Sequence, residues 1–277
     1  MVLWSTGFVA ARYATDDTGP LTFLAVRMVL AAAALAAFAV VRGAPRVERH
    51  VIPWVVLAGI GMHVMYLGGV FVAIDRGLPA GVSALIAGLH PVITALASRR
   101  VLGERLVRLQ WIGVGLGFTG VSAVVLDRLL THSSGVTAMT MGASALSVLG
   151  MAGGTLVQRK KCSTVPLLWG TVLQYGAAAI VLMVPALVWE HFDFHITGRS
   201  LFAMLWAVVV LSIAAVLLML WLLQRRAASQ VTSLFFLTPA LSAVEGAILF
   251  GERLGALALL GLVISLLGVA FVTRKAI

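Results

Sequence analysis

His63 and Tyr66 stand three residues apart, so a helix would carry an imidazole and a phenol on one face. His90 directly precedes Pro91, and Thr238 directly precedes Pro239. Phe235 and Phe236 add aromatic surface, Ser147 and Ser212 add hydroxyls, and Glu245 adds a carboxyl group. All of them lie within long apolar runs, where an ionisable group is costly and by default marks a functional position. The chemistry on offer is recognition: few polar groups among apolar walls, suited to a solute with one apolar part and a small polar head. The predicted substrate-binding residues are therefore His63, Tyr66, His90, Thr238, Phe235, Ser147, Ser212 and Glu245.

Each of these has an architectural reading beside the functional one. A buried histidine can be a satisfied core residue, and His90 can simply cap the break at Pro91. Serine hydroxyls bond their own helix cheaply. Glu245 is either a cation- or proton-binding acid or a snorkelled carboxylate in an outer vestibule. Arg27 lies about eight residues into its run and reads as a snorkelling side chain paired with Asp16 or Asp17; the sharper alternative is a clamp on a substrate carboxylate.

Other chemistries lack their signatures. The chain has no Walker loop, no zinc-spaced Cys/His cluster and no paired-Asp motif, and His191 with His195 is a weak metal pair in a loop. No cofactor, metal or catalytic residue is expected. The single Cys162 excludes an internal disulfide.

The elements that must position these groups follow from composition. The chain is 61% hydrophobic and 11% charged, with a mean hydropathy of +1.07. Soluble domains hold about 45–50% apolar and about 25% charged residues. This is an all-α integral membrane protein, because period-2 barrel patterning is absent and lipid leaves no backbone group unpaired. Apolar stretches near span length predict ten transmembrane helices at 1–14, 19–41, 51–74, 79–101, 107–127, 136–158, 165–188, 199–223, 227–250 and 255–273. The first is short for a bilayer, which predicts that the chain starts part-way through its first helix.

One stretch is written twice. Pro91, eleven residues, Gly103-Glu104-Arg105-Leu106, then Gly113 and Gly120-Val121 recurs 148 positions later as Pro239, eleven residues, Gly251-Glu252-Arg253-Leu254, then Gly261 and Gly268-Val269. Residues 80–121 laid on 228–269 give 12 identities in 42 positions. Such a repeat marks two equivalent halves, 1–129 and 136–277, of five spans each. An odd number of spans inverts the second half relative to the first, the plan of many secondary transporters. Each Gly-Glu-Arg-Leu turn reads as structural: Gly ends one helix and Glu opens the next. Pro91 and Pro239 each free a carbonyl, those of Ala87 and Phe235, near mid-depth. Breaks at equivalent positions of two halves point to a transport site, against the plainer reading of a packing kink.

Basic residues set the orientation. The connections on the side of the N-terminus carry 14 Lys and Arg against 5 on the other side, with Arg27 inside a span. The positive-inside rule places both termini in the cytoplasm of a cell that holds the protein in its cytoplasmic membrane. The net charge of +10 is thus a topology signal and not a nucleic-acid footprint.

Trp4-Ser-Thr-Gly-Phe-Val-Ala-Ala-Arg, Pro20 followed by Arg27, and the doubled Pro-x11-Gly-Glu-Arg-Leu resemble the EamA-type transporters of the drug/metabolite transporter superfamily across essentially the whole chain. The histidine in the third span and the sparse charges are most similar to its exporters of aromatic amino acids. The resemblance implies a ten-helix inverted-repeat carrier with a central cavity shared by both halves, and the matching motif residues are mainly architectural. The second half departs from the pattern with Ala152-Gly153 where the first has Trp4-Ser5.

Three classes of function remain. A secondary exporter of aromatic or large apolar amino acids, acting as a monomer in the bilayer by alternating access, explains the repeat, the mid-depth polar groups and the lack of ATP machinery. A drug, cation or nucleotide-sugar carrier of the same superfamily is the alternative. An intramembrane enzyme would need a nucleophile-base or metal constellation, and a channel would need charge rings or a carbonyl filter.

Overall fold

The protein is described by a computed structural model covering residues 2–103, 107–131, 135–218, 238–251 and 255–273. Among these residues the regular structure is helical, with one isolated bridge between Thr18 and Phe194. We label the helices α1 (Val2–Thr15), α2 (Pro20–Val41), α3 (Arg49–Asp75), α4 (Ala80–Val101), α5 (Arg108–Thr131), α6 (Ala138–Lys161), α7 (Leu167–Val188), α8 (Gly198–Leu218), α9 (Thr238–Phe250) and α10 (Ala256–Thr273).

Seven of these, α2 to α8, are long and apolar enough to cross a membrane, against the ten spans that the sequence pattern predicts. The difference lies in α1, α9 and α10, which have 14, 13 and 18 residues. The predicted ninth span begins at 227, and residues 219–237 lie outside the described residues. Large apolar side chains face outward, Ile180 being 73% and Ile248 75% exposed. Outward apolar surface of this kind is at home in lipid.

Local chemistry sets the helix ends. Pro20 opens α2, where its missing N–H has no partner to lose. Thr137 and Thr197 form capping boxes with Thr140 and Ser200 at the starts of α6 and α8. Gly103 and Gly251, the repeat-related glycines after α4 and α9, have φ of 73° and 64°, the left-handed region where glycine ends a helix without strain. The Glu-Arg-Leu segments after them, 104–106 and 252–254, lie outside the described residues.

Two helices depart from α geometry. Ile60–Met65 in α3 and Trp206–Ala214 in α8 are π-helical. Shifted by 148, the first segment falls on 208–213, inside the second. α4 is interrupted after Ala87 and resumes at His90, one residue before Pro91.

α5 and α10 pack closely through glycine. A Cβ at Gly113 would meet the Gly268 carbonyl oxygen at 2.6 Å, and a Cβ at Gly261 would meet that of Gly120 at 2.5 Å. Phe271 lies against Gly113 as Ala123 lies against Gly261. The start of α5 thus meets the end of α10 and the converse, so the pair is antiparallel. Each contact maps onto another when both partners are shifted by 148.

Polar contacts tie together one end of the bundle. Glu190, just past α7, accepts hydrogen bonds from the Leu21 and Thr22 amides at 3.0 and 2.7 Å and from the Thr22 hydroxyl at 2.8 Å. It caps α2 from another helix, a carboxylate against a helix N-terminus. Arg199 pairs with Asp16 at 2.8 Å, and the Thr197 hydroxyl donates to Asp17 at 2.6 Å.

Candidate functional site

A cavity of about 350 Å³ lies in the bundle, within the range of about 300–1,000 Å³ typical of small-molecule sites. His63, Tyr66 and His90, three of the candidate residues, line it, and Gly88 lines it at the interruption of α4. Trp4, Phe8 and Phe71 supply aromatic wall. Val165, Leu167 and Gly170 carry the lining toward the end of the bundle opposite the Glu190 clasp.

His63 stands in the π-helical turn of α3 and faces α7. Its Nε2 lies 3.3 Å from Oε1 of Gln174, and Nε2 of Gln174 donates to Oε1 of Gln158 at 2.9 Å. An amide oxygen only accepts, so Nε2 of His63 carries the proton and Nδ1 of the neutral ring remains an acceptor. The edge of the ring meets Tyr175, with centroids 4.8 Å apart. Neither Gln158 nor Gln174 is among the predicted site residues, although both line the cavity.

His90 answers the question posed by Pro91. Proline cannot bond back to the carbonyl of Ala87, and Nδ1 of His90 lies 3.1 Å from that oxygen. Because the carbonyl only accepts, Nδ1 carries the proton and Nε2 is the acceptor. His90 therefore both caps the break and lines the cavity, joining the two readings of the sequence. The Thr94 hydroxyl donates to the His90 carbonyl at 2.7 Å and stiffens the same turn.

Arg27 corrects the sequence reading. Its expected partners are taken, Asp16 by Arg199 and Asp17 by Thr197. Instead the side chain is buried, 6% exposed, and lines the cavity. Its Nε donates to Ser212 Oγ at 3.2 Å. Ser212 is held in turn by donating to the carbonyl of Ala207 at 3.0 Å, five residues back along the π-helical turn of α8. The Tyr175 hydroxyl reaches the same serine. Tyr175 is also the residue 148 positions after Arg27, so equivalent places of α2 and α7 carry a cation and a phenol. A charged side chain at this depth costs about 2.5–3.5 kcal/mol on insertion scales, so its position calls for a function.

The remaining predicted residues fall elsewhere. Ser212 acts on the cavity through Arg27. Ser147 donates to its own helix at Ser144, 2.7 Å away, and lies against Gly69 where α6 meets α3. Glu245 lies in the contact of α9 with α1, where Ser5 donates to Oε1 at 2.6 Å. Its Oε2 is sealed from solvent with no hydrogen-bond partner among the described residues. Phe235 and the side chain of Thr238 lie outside the described residues, as does Phe236.

Among the described residues no cluster of three or more His, Cys, Asp or Glu is placed to hold a metal ion. The arrangement suits binding: fixed donors and acceptors around an apolar-walled space.

Comparison with known proteins places this geometry. Residues 1–126 and 138–274 match the EamA-like transporter family. The chain is 25% identical over 280 residues to the uncharacterized transporter YvbV of Bacillus subtilis, covering 99% of this chain and 89% of that one. It is 22% identical over 275 residues to the uncharacterized inner membrane transporter YedA of Escherichia coli, covering 98% and 87%. It is 24% identical over 279 residues to a probable amino-acid metabolite efflux pump of Escherichia coli, covering 97% and 90%. A protein of known crystal structure shares the fold with a TM-score of 0.63 at 18% identity, over 98% of this chain and 93% of that one.

Proposed function

Because the chain belongs to the EamA-like transporter family, and is thereby a multi-pass membrane transporter, we propose that it exports amino acids with large or aromatic side chains and similar amphipathic metabolites. The observation that carries this reading is the cavity itself. It pairs aromatic wall from Trp4, Phe8 and Tyr66 with a short set of polar groups from His63, His90, Arg27 and Gln174. A solute with one apolar part and a zwitterionic head fits such a lining. A nucleotide sugar needs several basic groups to neutralise its phosphates, and Arg27 is the one Lys or Arg among the described lining residues.

The proposed architecture is ten spans in two inverted halves, 1–129 and 136–277, moving by alternating access in the monomer. The self-mapping antiparallel contact of α5 and α10 supports it, since an exchange that returns the same contacts implies a two-fold axis across the helix pair. The π-helical turns at equivalent positions support it further. The cavity lining extends toward one end of the bundle while Glu190 and Asp16 tie the other, which suits a carrier open to one side. Glu245 is engaged by Ser5 and lies outside the cavity lining, which favours equilibration over proton coupling.

Uptake of a panel of labelled amino acids into proteoliposomes tests the substrate. Phenylalanine or tryptophan should move down its gradient and be competed by unlabelled substrate; exchange of a nucleotide sugar with no amino-acid flux would refute the assignment. Both termini are proposed to face the cytoplasm, as the basic residues indicate. Native Cys162 is a poor reporter of this, being buried, with its thiol pushed up by that burial and so less often the reactive thiolate. Exposed Ser163 beside it serves better. Ser163→Cys should react with an impermeant maleimide in inverted vesicles and not in intact cells; labelling in intact cells would reverse the orientation.

A further inference from the structure

Arg27 has more donors than the described residues use. A guanidinium offers five N–H groups in a planar fork, and among the described residues its hydrogen-bond partner is Ser212. Among the described residues, Asp16 is engaged with Arg199, Asp17 with Thr197, Glu190 with the start of α2 and Glu245, through Oε1, with Ser5. The groups closest to the charge, Ser212 and Tyr175, are neutral hydroxyls. A buried cation that faces a cavity and, among the described residues, meets only neutral partners is one that an anion from outside the protein would complete. The fixed planar fork suits one anion best, a carboxylate that it can take in two parallel hydrogen bonds.

We propose that Arg27, aimed by Ser212 from the π-helical turn of α8, binds the carboxylate of the transported solute. The apolar part of that solute then lies toward Phe8, Tyr66 and Phe71, which line the same cavity. The proposal rests on the reading of the chain as an amino-acid carrier, and it narrows the substrate class to carboxylates. Amines without a carboxyl group are excluded because they would set a second cation against Arg27.

The test uses the purified full-length protein and three probes of similar bulk: phenylalanine, 3-phenylpropionate and phenethylamine. Thermal unfolding at graded probe concentrations reports binding whether or not transport follows. Phenylalanine and 3-phenylpropionate should stabilise the wild type, and phenethylamine should not. Arg27→Met should weaken both carboxylates about tenfold to a hundredfold, the loss of a charge-assisted pair. Arg27→Lys should fall between, keeping the charge without the fork, and Ser212→Ala should weaken binding up to about tenfold by freeing the guanidinium. These two variants decide the matter if Arg27→Met does not fold. Equal stabilisation by phenethylamine, no stabilisation by any probe, or carboxylate affinity unchanged in the variants would overturn the proposal. Phenylalanine flux that is the same in wild type and Arg27→Met would overturn it while leaving the carrier reading intact. Absent flux with Arg27-dependent binding would do the reverse.

Discussion

The contact of α5 with α10 and the wall of the cavity are built by opposite rules. Along the helix contact, positions 148 apart carry the same residue: Gly113 meets Gly268 as Gly261 meets Gly120. Around the cavity equivalent positions carry different chemistry. Arg27 corresponds to Tyr175 and His63 to Leu211. Close packing asks only for absence of bulk, which both halves can supply identically. Recognition of an asymmetric solute asks for different groups at its two ends, so a repeated scaffold has to break its repeat there. The π-helical turns show both rules at once, sharing a backbone feature while one presents His63 and the other Ser212.

The largest effect should come from breaking the symmetric contact. Gly120→Leu and Gly268→Leu should each destabilise the protein by about 3 kcal/mol, the upper range for overpacking, because the new side chain would meet backbone. Their equality is the point: thermal unfolding in detergent should fall alike for both, and a large disparity would mean that the two halves do not share the contact equally. Next comes the asymmetric wall. His63→Ala should reduce flux per folded molecule by about tenfold, about the loss of one hydrogen bond, while the protein still extracts as a monodisperse species. A fall in thermal stability with flux unchanged would instead assign His63 to the packed core. The smallest effect belongs to Ser147→Ala. Its hydroxyl bonds its own helix, so stability should stay within about 0.5 kcal/mol and flux should hold; a clear loss of flux would return Ser147 to the site.

Much of the scaffold was legible in the sequence because lipid imposes a simple code. The apolar run 51–74 becomes Arg49–Asp75, and 165–188 becomes Leu167–Val188. Pro91 announced the interruption of α4, and the paired glycines announced the turns after α4 and α9. The site was read less well. His63, Tyr66 and His90 stood out as ionisable or phenolic groups in apolar runs, and they line the cavity. Arg27 is hard to place from sequence because its partner lies 185 residues away, while the nearby Asp16 and Asp17 offer a local explanation. Gln158 and Gln174 give a weaker signal since neither titrates, yet an amide within the apolar run of α7 is a signal of the same kind. The π-helical turns that aim His63 and Ser212 leave no residue type to read, because they are a property of backbone hydrogen bonding.

We propose that this protein is a carrier whose cavity takes an amino acid from either side in turn. Counterflow tests it most directly. Proteoliposomes preloaded with excess unlabelled phenylalanine and diluted into trace labelled phenylalanine should accumulate label transiently above its equilibrium level, because outward exchange draws it in. The overshoot should vanish in Arg27→Met. Label that only fills to equilibrium, at a rate indifferent to the preload, would contradict alternating access and make the protein a pore.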